Sequence, residues 1–318
     1  MDRKFQPVDS LKSPRFCGIK TFMRIPHMKT LDGVDVAIVG VPFDTASTYR
    51  TGSRFGPSAI RDMSTTVRPY NINMDINSFE HISVVDFGDI DVLPGYIDDT
   101  YEIIERDMTE ILSNGVTPIC LGGDHSITLA ELRAVAKEKG PVALVHFDSH
   151  TDTIDSYFGK AYCHGTPFYH AIKEGLIDTE HSIQVGLRGN LYDPNGFKDS
   201  EKLGLQVITA RELHKIGIDE TIKRINQRVG NAKAFLTFDI DFVDPAYAPG
   251  TGTIEIGGFT SYETLELLRG IRNIDYQAFD LVEVAPAYDP TQITANLAAN
   301  IVHDFIAMVA LKKSNGGK

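Results

Sequence analysis

The chain has no tryptophan and only three cysteines in 318 residues. Cys17, Cys120 and Cys163 form no CxxC pair and no framework of spaced pairs. That excludes a disulfide scaffold and fits a reducing compartment. Positive charge is also short, with 31 Lys and Arg against 43 Asp and Glu for a net charge of −12. With no basic cluster in it, such a chain offers no nucleic-acid surface. The sequence reads as lacking any apolar stretch near the ~20 residues that span a bilayer. Its first residues, Met1-Asp2-Arg3-Lys4-Phe5, are polar and carry no apolar signal core. The expectation is a cytoplasmic protein with neither membrane nor nucleic acid as partner.

What is present is an alternation. Apolar runs rich in β-branched residues are expected as strands over 34–39, 81–86, 117–121, 142–147, 182–186, 206–209, 234–238 and 278–284. Helical patterns fall between them. One opens at Gly56-Pro57, where proline suits a first turn, and one runs from Ile97 to Ser113 before Asn114-Gly115. Another is expected to be capped by Ser126 and to end at Gly140, and two more cover 220–228 and 261–272. Strand–helix alternation gives an α/β fold: three layers, α/β/α, around a mainly parallel central sheet. Residues 1–30 are expected to be irregular, packing over the surface or against a neighbouring subunit, and residues 31–318 to form a single catalytic domain.

Two segments place carboxylates at every second position directly after a buried strand. They are Asp148-Ser149-His150-Thr151-Asp152 and Asp239-Ile240-Asp241. Alternate residues of a strand share a face, so these side chains converge. Four buried carboxylates repel one another and resist desolvation, and cations relieve both costs. A third segment, Gly122-Gly123-Asp124-His125-Ser126, lies between a strand and a helix and adds an imidazole. The expected metal ligands are His125, Asp148, His150, Asp152, Asp239 and Asp241. That donor set is oxygen-rich with two imidazoles and no thiolate. It favours Mn²⁺, with Ni²⁺, Co²⁺ and Fe²⁺ as competitors, over a structural zinc. Two divalent ions balance the four carboxylates, and a hydroxide between them leaves the cluster at −1, matched to a cationic guest.

These blocks, with Thr237-Phe238-Asp239-Ile240-Asp241-Phe242-Val243-Asp244-Pro245 and Asp280-Leu281-Val282-Glu283-Val284-Ala285-Pro286, resemble the ureohydrolase (arginase/agmatinase) family over most of the chain. Tyr49-Arg50-Thr51-Gly52-Ser53-Arg54-Phe55-Gly56-Pro57 and His164-Gly165-Thr166-Pro167-Phe168 look like its agmatinase branch, which includes guanidinobutyrase and proclavaminate amidinohydrolase. The resemblance implies an arginase-like fold and two Mn²⁺ per chain, with Ni²⁺ an alternative. His125, Asp148, Asp152 and Asp239 would hold one ion, and Asp148, His150, Asp239 and Asp241 the other. It further implies that Glu283 grips a guanidinium, that His164 shuttles a proton near the leaving amine, and that Asp241 orients the nucleophile. The implied reaction is hydrolysis of a linear guanidino compound to urea and an amine, as from agmatine to putrescine. The alternatives are a guanidino-acid hydrolase such as guanidinobutyrase and a nickel-dependent hydrolase of small guanidines. A homotrimer or homohexamer is implied as well. Ser149 and Ile254 depart from the family pattern, which has Ala and Pro there in many members; Ser149, between ligands, is expected to hydrogen-bond around the site.

Selectivity is expected to come from the loop 154–163 and from Gly189-Asn190-Leu191-Tyr192. There Lys160 is set to meet a substrate carboxylate, Asp155 or Asp193 an ammonium, and Asn190 to contact the substrate. Two other classes compete with this reading: a different dimetal hydrolase of the deacetylase or phosphoesterase type, and a non-catalytic partner subunit. Glu283 disfavours a phosphate substrate, and a full ligand set disfavours the partner subunit.

Overall fold

The computed structural model describes residues 5–316. Ten strands lie among the described residues: β1 (Val36–Val41), β2 (Tyr70–Asn71), β3 (Ile76–Asn77), β4 (Val84–Asp89), β5 (Thr117–Gly122), β6 (Ala143–Phe147), β7 (Ile183–Leu187), β8 (Gln206–Thr209), β9 (Lys233–Asp239) and β10 (Asp275–Val282). Eight of them form one sheet in the order β4-β1-β5-β10-β9-β6-β7-β8, each neighbouring pair parallel. The helices are α1 (Gly56–Ser64), α2 (Ile97–Ser113), α3 (Thr128–Lys139), α4 (Pro167–Lys173), α5 (Gly196–Lys202), α6 (Ala210–Val229), α7 (Ser261–Gly270) and α8 (Ile293–Ser314).

The strands are apolar on both faces because both are covered. Along β1, Val36 and Ile38 enter one core with residues of α1, α6, α7 and α8. Ala37, Val39 and Val41 enter the other with residues of α2, α3 and α4. This is the expected three-layer α/β/α arrangement.

Several boundaries shift. β1 and β4 each begin two or three residues later than the apolar pattern suggests, and β10 begins three earlier. The helix expected over 220–228 extends back to Ala210, across a kink at Gly217 (φ 81°). Ser126 is not a helix cap. Asp124 takes that role, accepting from the Ser126 N–H, and a short 3-10 turn His125–Ile127 leads into α3. The expectation of no long apolar run also needs correction. α8 has 22 residues and is apolar enough by length and composition to cross a membrane, yet most of it is buried against the fold. It is a core helix, with His303 and Asp304 along it, and Asp304 pairs with Arg269 at 2.9 Å.

Part of the segment expected to be irregular, residues 1–4, lies outside the described residues, as do residues 317 and 318. The rest of it is tied down. Phe22, Met23 and Ile25 join the core, and the Phe22 N–H donates to Asp86 Oδ2 (2.8 Å). Buried Arg24 donates to the carbonyls of Val8, Ser13 and Pro14 and to the hydroxyls of Ser10 and Ser13.

Candidate functional site

The four motif-bearing segments leave β5, β6, β9 and β10, and these are the four adjacent strands at the middle of the sheet. Their carboxyl ends open into one place, where open parallel sheets put ligands. Gly123 allows the first segment to turn there: a Cβ on it would sit 2.0 Å from the Phe43 carbonyl oxygen.

All six expected ligands meet in two groups. His125 Nδ1 faces Asp152 Oδ2 at 3.0 Å, Asp148 Oδ2 at 3.1 Å and Asp239 Oδ2 at 3.3 Å. His150 Nδ1 faces Asp241 Oδ2 at 3.0 Å and Asp148 Oδ1 at 3.5 Å. Asp148 thus turns one oxygen toward each imidazole. Main-chain donors hold one oxygen of each of three carboxylates: the His150 N–H holds Asp148 Oδ1 (2.6 Å), the Asp241 N–H holds Asp239 Oδ1 (2.8 Å) and the Ser149 N–H holds Asp241 Oδ1 (3.0 Å). Ser149 adds its hydroxyl to the same Asp241 oxygen (2.7 Å), a direct bond to an expected ligand.

The cluster suits a cation. His125 Nε2 lies 2.8 Å from Thr237 Oγ1. His125 Nδ1 is buried, makes no well-aligned hydrogen bond, and points at three carboxylate oxygens; Asp241 Oδ2 is likewise buried and unpaired. Burial and then the charges of Asp241 and Asp148 push Asp239 well above the usual carboxylate range. Burial lowers the His125 pKa, but the three facing carboxylates override it and raise the ring well above its usual value. Buried donors of this kind aimed together at one point fit a divalent cation.

Glu283 is fourth from the front of its motif and sits beside the cage with only 2% of its surface exposed. Its Oε1 accepts from the His125 N–H (3.0 Å) and pairs with His164 Nδ1 (3.0 Å). Thr48 Oγ1 lies 2.7 Å from His164 Nε2, closer than the Thr48 N–H at 3.1 Å, so a cationic ring has a hydroxyl acceptor on Nε2 and Glu283 on Nδ1. Burial lowers the His164 pKa, but Glu283 overrides it and raises it to about 9. Glu283 and Asp152 both adopt left-handed backbone conformations, at φ 63° and 50°.

A cavity of about 1080 Å³ opens over this floor. Its lining includes His150, Asp152, His164 and Asp239 of the floor together with Asp155, Asn190, Asp193, Asp199 and Glu255. Tyr157 and Tyr192 join the two rim loops through their hydroxyls at 2.7 Å. Lys160 is exposed at a turn and does not line the cavity. The cations that do line the cavity are engaged. Lys202 pairs with Asp199 (2.6 Å), and Arg188 donates to the carbonyls of Asp241, Phe242 and Glu255.

Residues 34–308 match the profile of the arginase family. The chain belongs to that family. Its relatives include guanidinobutyrase of Pseudomonas aeruginosa, 41% identical over 97% of this chain and 98% of that one. Agmatinase, mitochondrial, of Gallus gallus is 41% identical over 92% of this chain and 86% of that one. Among solved structures, proclavaminate amidino hydrolase from Streptomyces clavuligerus superposes with a TM-score of 0.90 at 40% identity, covering 94% of this chain and 99% of that one. The arginase-like fold inferred from the motif blocks is therefore the fold this family member has.

Reading the sequence missed His146 and Gln184. His146 stands two residues before Asp148 on β6 and pairs in register with Gln184 on β7. The period of two that linked Asp148 to His150 and Asp152 extends back to it, and that was the available signal.

Proposed function

We propose that this arginase-family protein is a dimetal hydrolase that cleaves the C–N bond of a linear guanidino compound, releasing urea and an amine. The observation that carries the reading is Glu283, a buried carboxylate fixed beside six converging metal-type donors. Both hydrogen bonds it accepts from described residues fall on Oε1, so Oε2 is left for a guest. A carboxylate grips a planar guanidinium through paired N–H bonds and rejects phosphate.

His125, Asp148, Asp152 and Asp239 would hold one ion, and Asp148, His150, Asp239 and Asp241 the other. When bound, a divalent pair lowers the pKa of water toward neutrality and so supplies the nucleophile. The hard oxygen-rich donors favour Mn²⁺, with Ni²⁺ as the competitor. Glu283 orients the guanidinium carbon over the floor. Asp241, pinned by Ser149, keeps Oδ2 directed into the cage. His164, whose pKa Glu283 raises to about 9, is cationic near neutral pH, and the departing amine takes a proton from it, leaving a neutral ring seated between Glu283 and Thr48.

The substrate tail is amine-terminated, as in agmatine. Asp155, Asp193 and Glu255 line the cavity, while its cations are already paired. Ser156 and Asn195 orient the two rim aspartates. An acid-tailed substrate is the alternative, favoured by the likeness to guanidinobutyrase. The protein acts in the cytoplasm, a reading supported by three free cysteines. It assembles as a homotrimer or homohexamer, supported by Leu11, Phe16 and Ile19 of the N-terminal segment, which are 96%, 82% and 86% exposed.

The test is urea release from agmatine, 4-guanidinobutyrate and methylguanidine by protein loaded in parallel with Mn²⁺ and Ni²⁺. The expected result is fastest turnover of agmatine with Mn²⁺. No urea from any guanidine with either metal would end the proposal.

A further inference from the structure

His146 stands apart from the ligand set although it touches it. The residue is fully buried, with Nε2 2.8 Å from Asp148 Oδ2 and Nδ1 2.8 Å from Gln184 Nε2. By donor type, His125, His146 and Asp148 are close enough to share one ion. The hydrogen bonds argue against that. Gln184 Nε2 also lies 2.7 Å from the Thr151 carbonyl, which can only accept. The amide nitrogen, and not its oxygen, must therefore occupy this position. Its second hydrogen goes to His146 Nδ1, which accepts it. The ring hydrogen is then on Nε2 and is donated to Asp148 Oδ2, so no lone pair of His146 faces the cage.

We infer that His146 is a positioning residue for Asp148, held in its Nε2–H form by Gln184, and is not itself a metal ligand. The fold builds this in. Register sets His146 beside Gln184, and the Phe168 ring, 4.4 Å between centroids, seats the imidazole. Asp148 then carries one protein hydrogen bond on each oxygen, from His146 on Oδ2 and from the His150 N–H on Oδ1. It cannot rotate without losing one of them. The carboxylate that faces both imidazoles is fixed before any ion arrives. This rests on the dimetal reading above. Donors that orient a metal-binding side chain are commonly worth roughly 10- to 100-fold in metal affinity.

The experiment titrates the full-length, metal-stripped protein with Mn²⁺ by calorimetry, using wild type, His146→Phe, His146→Gln and Gln184→Met. Phenylalanine keeps a ring against Phe168 without the donor, and glutamine restores an N–H at the Nε2 position. Wild type is expected to take two equivalents. His146→Phe should bind roughly 10- to 100-fold more weakly and His146→Gln within about threefold of wild type, with Gln184→Met weakened about three- to tenfold. Circular dichroism of the metal-free variants should match wild type. Wild-type affinity in His146→Phe would overturn the inference. Loss of one equivalent in both His146 variants would make His146 a ligand and also overturn it. Should His146→Phe fail to fold, Gln184→Met decides, and unchanged affinity there overturns the inference. Fewer than two equivalents in wild type would instead count against the dimetal reading.

Discussion

The floor of the cavity and its rim are built by opposite rules. On the floor, Asp148, Asp239 and Asp241 are buried, and each has an oxygen held by a main-chain N–H. Their directions are set by four adjacent strands brought together from distant parts of the chain. On the rim, Phe158 and Tyr192 are 80% and 91% exposed, and Asp155 and Asp193 are steadied only by neighbours one or two residues away. A change on the rim disturbs little else, whereas a change on the floor disturbs the sheet's centre. The reaction is thus a property of the scaffold, and selectivity a property of local sequence.

This contrast can be tested at three points. The largest effect is expected from Glu283→Gln, which removes charge from the floor without removing a proposed ligand. Loss of a charge-assisted hydrogen bond worth about 1.5–3 kcal/mol should cut kcat/KM by about 10- to 100-fold. Metal content measured by mass spectrometry should stay at wild-type level, and a fall in it would show that Glu283 belongs to the cage.

Next comes pH. Burial and then the Glu283 charge raise Asp124 from 3.8 to about 7, and burial with neighbouring carboxylates raises Asp239. An acid whose folded pKa is raised stabilises the fold fully below its unfolded value and loses that contribution as pH climbs through the folded one. The facing carboxylates also raise His125 and His150 well above 6.5, once the lowering by burial is overcome, so their contribution fades in the same direction at higher pH. Asp148 is held low by its imidazole neighbours despite burial, so it is ionised throughout and adds no slope above pH 5. Metal-free protein should therefore melt at progressively lower temperature from about pH 5 to 9. Added Mn²⁺ should restore several degrees, and more at the higher pH, because deprotonated ligands bind it better. A gap between melting curves that narrows with pH would contradict the cage.

The smallest effects belong to the rim. Asp155→Asn with Asp193→Asn should raise KM for agmatine about threefold at low salt, leave kcat unchanged, and matter little in ~0.5 M NaCl, since exposed charges are screened. Lys160→Ala should change KM for neither acid- nor amine-tailed guanidines. A strong loss of 4-guanidinobutyrate binding in Lys160→Ala would place that lysine over the cavity after all.

Much of the floor was legible in the sequence because strand periodicity ties Asp148 to His150 and Asp152, and Asp239 to Asp241, through local geometry alone. The strand at 206–209 and the helix from Ile97 to Ser113 match their expected limits for the same reason, since pattern and stop signals agree. What escaped depends on contacts between strands. His146 has meaning only beside Gln184, 38 positions away in the chain. The Asp124 cap was obscured because Ser126, a good cap by type, is itself the donor that Asp124 receives. α6 was read short because Gly217 interrupts its pattern, and where Lys160 points was not legible because loop direction is not encoded in loop composition.

The left-handed backbones of Asp152 and Glu283 have a practical consequence. Glycine would relieve about 1 kcal/mol of backbone strain at each, and would also remove a buried carboxylate that repels its neighbours, against the loss, at Glu283, of the bond to the His125 N–H. A laboratory lineage selected for heat tolerance alone, with no urea readout, would be expected to drift toward glycine at these two positions. It would grow tougher as it fell silent, and appearance of those replacements would mark the generation at which selection had stopped seeing the reaction.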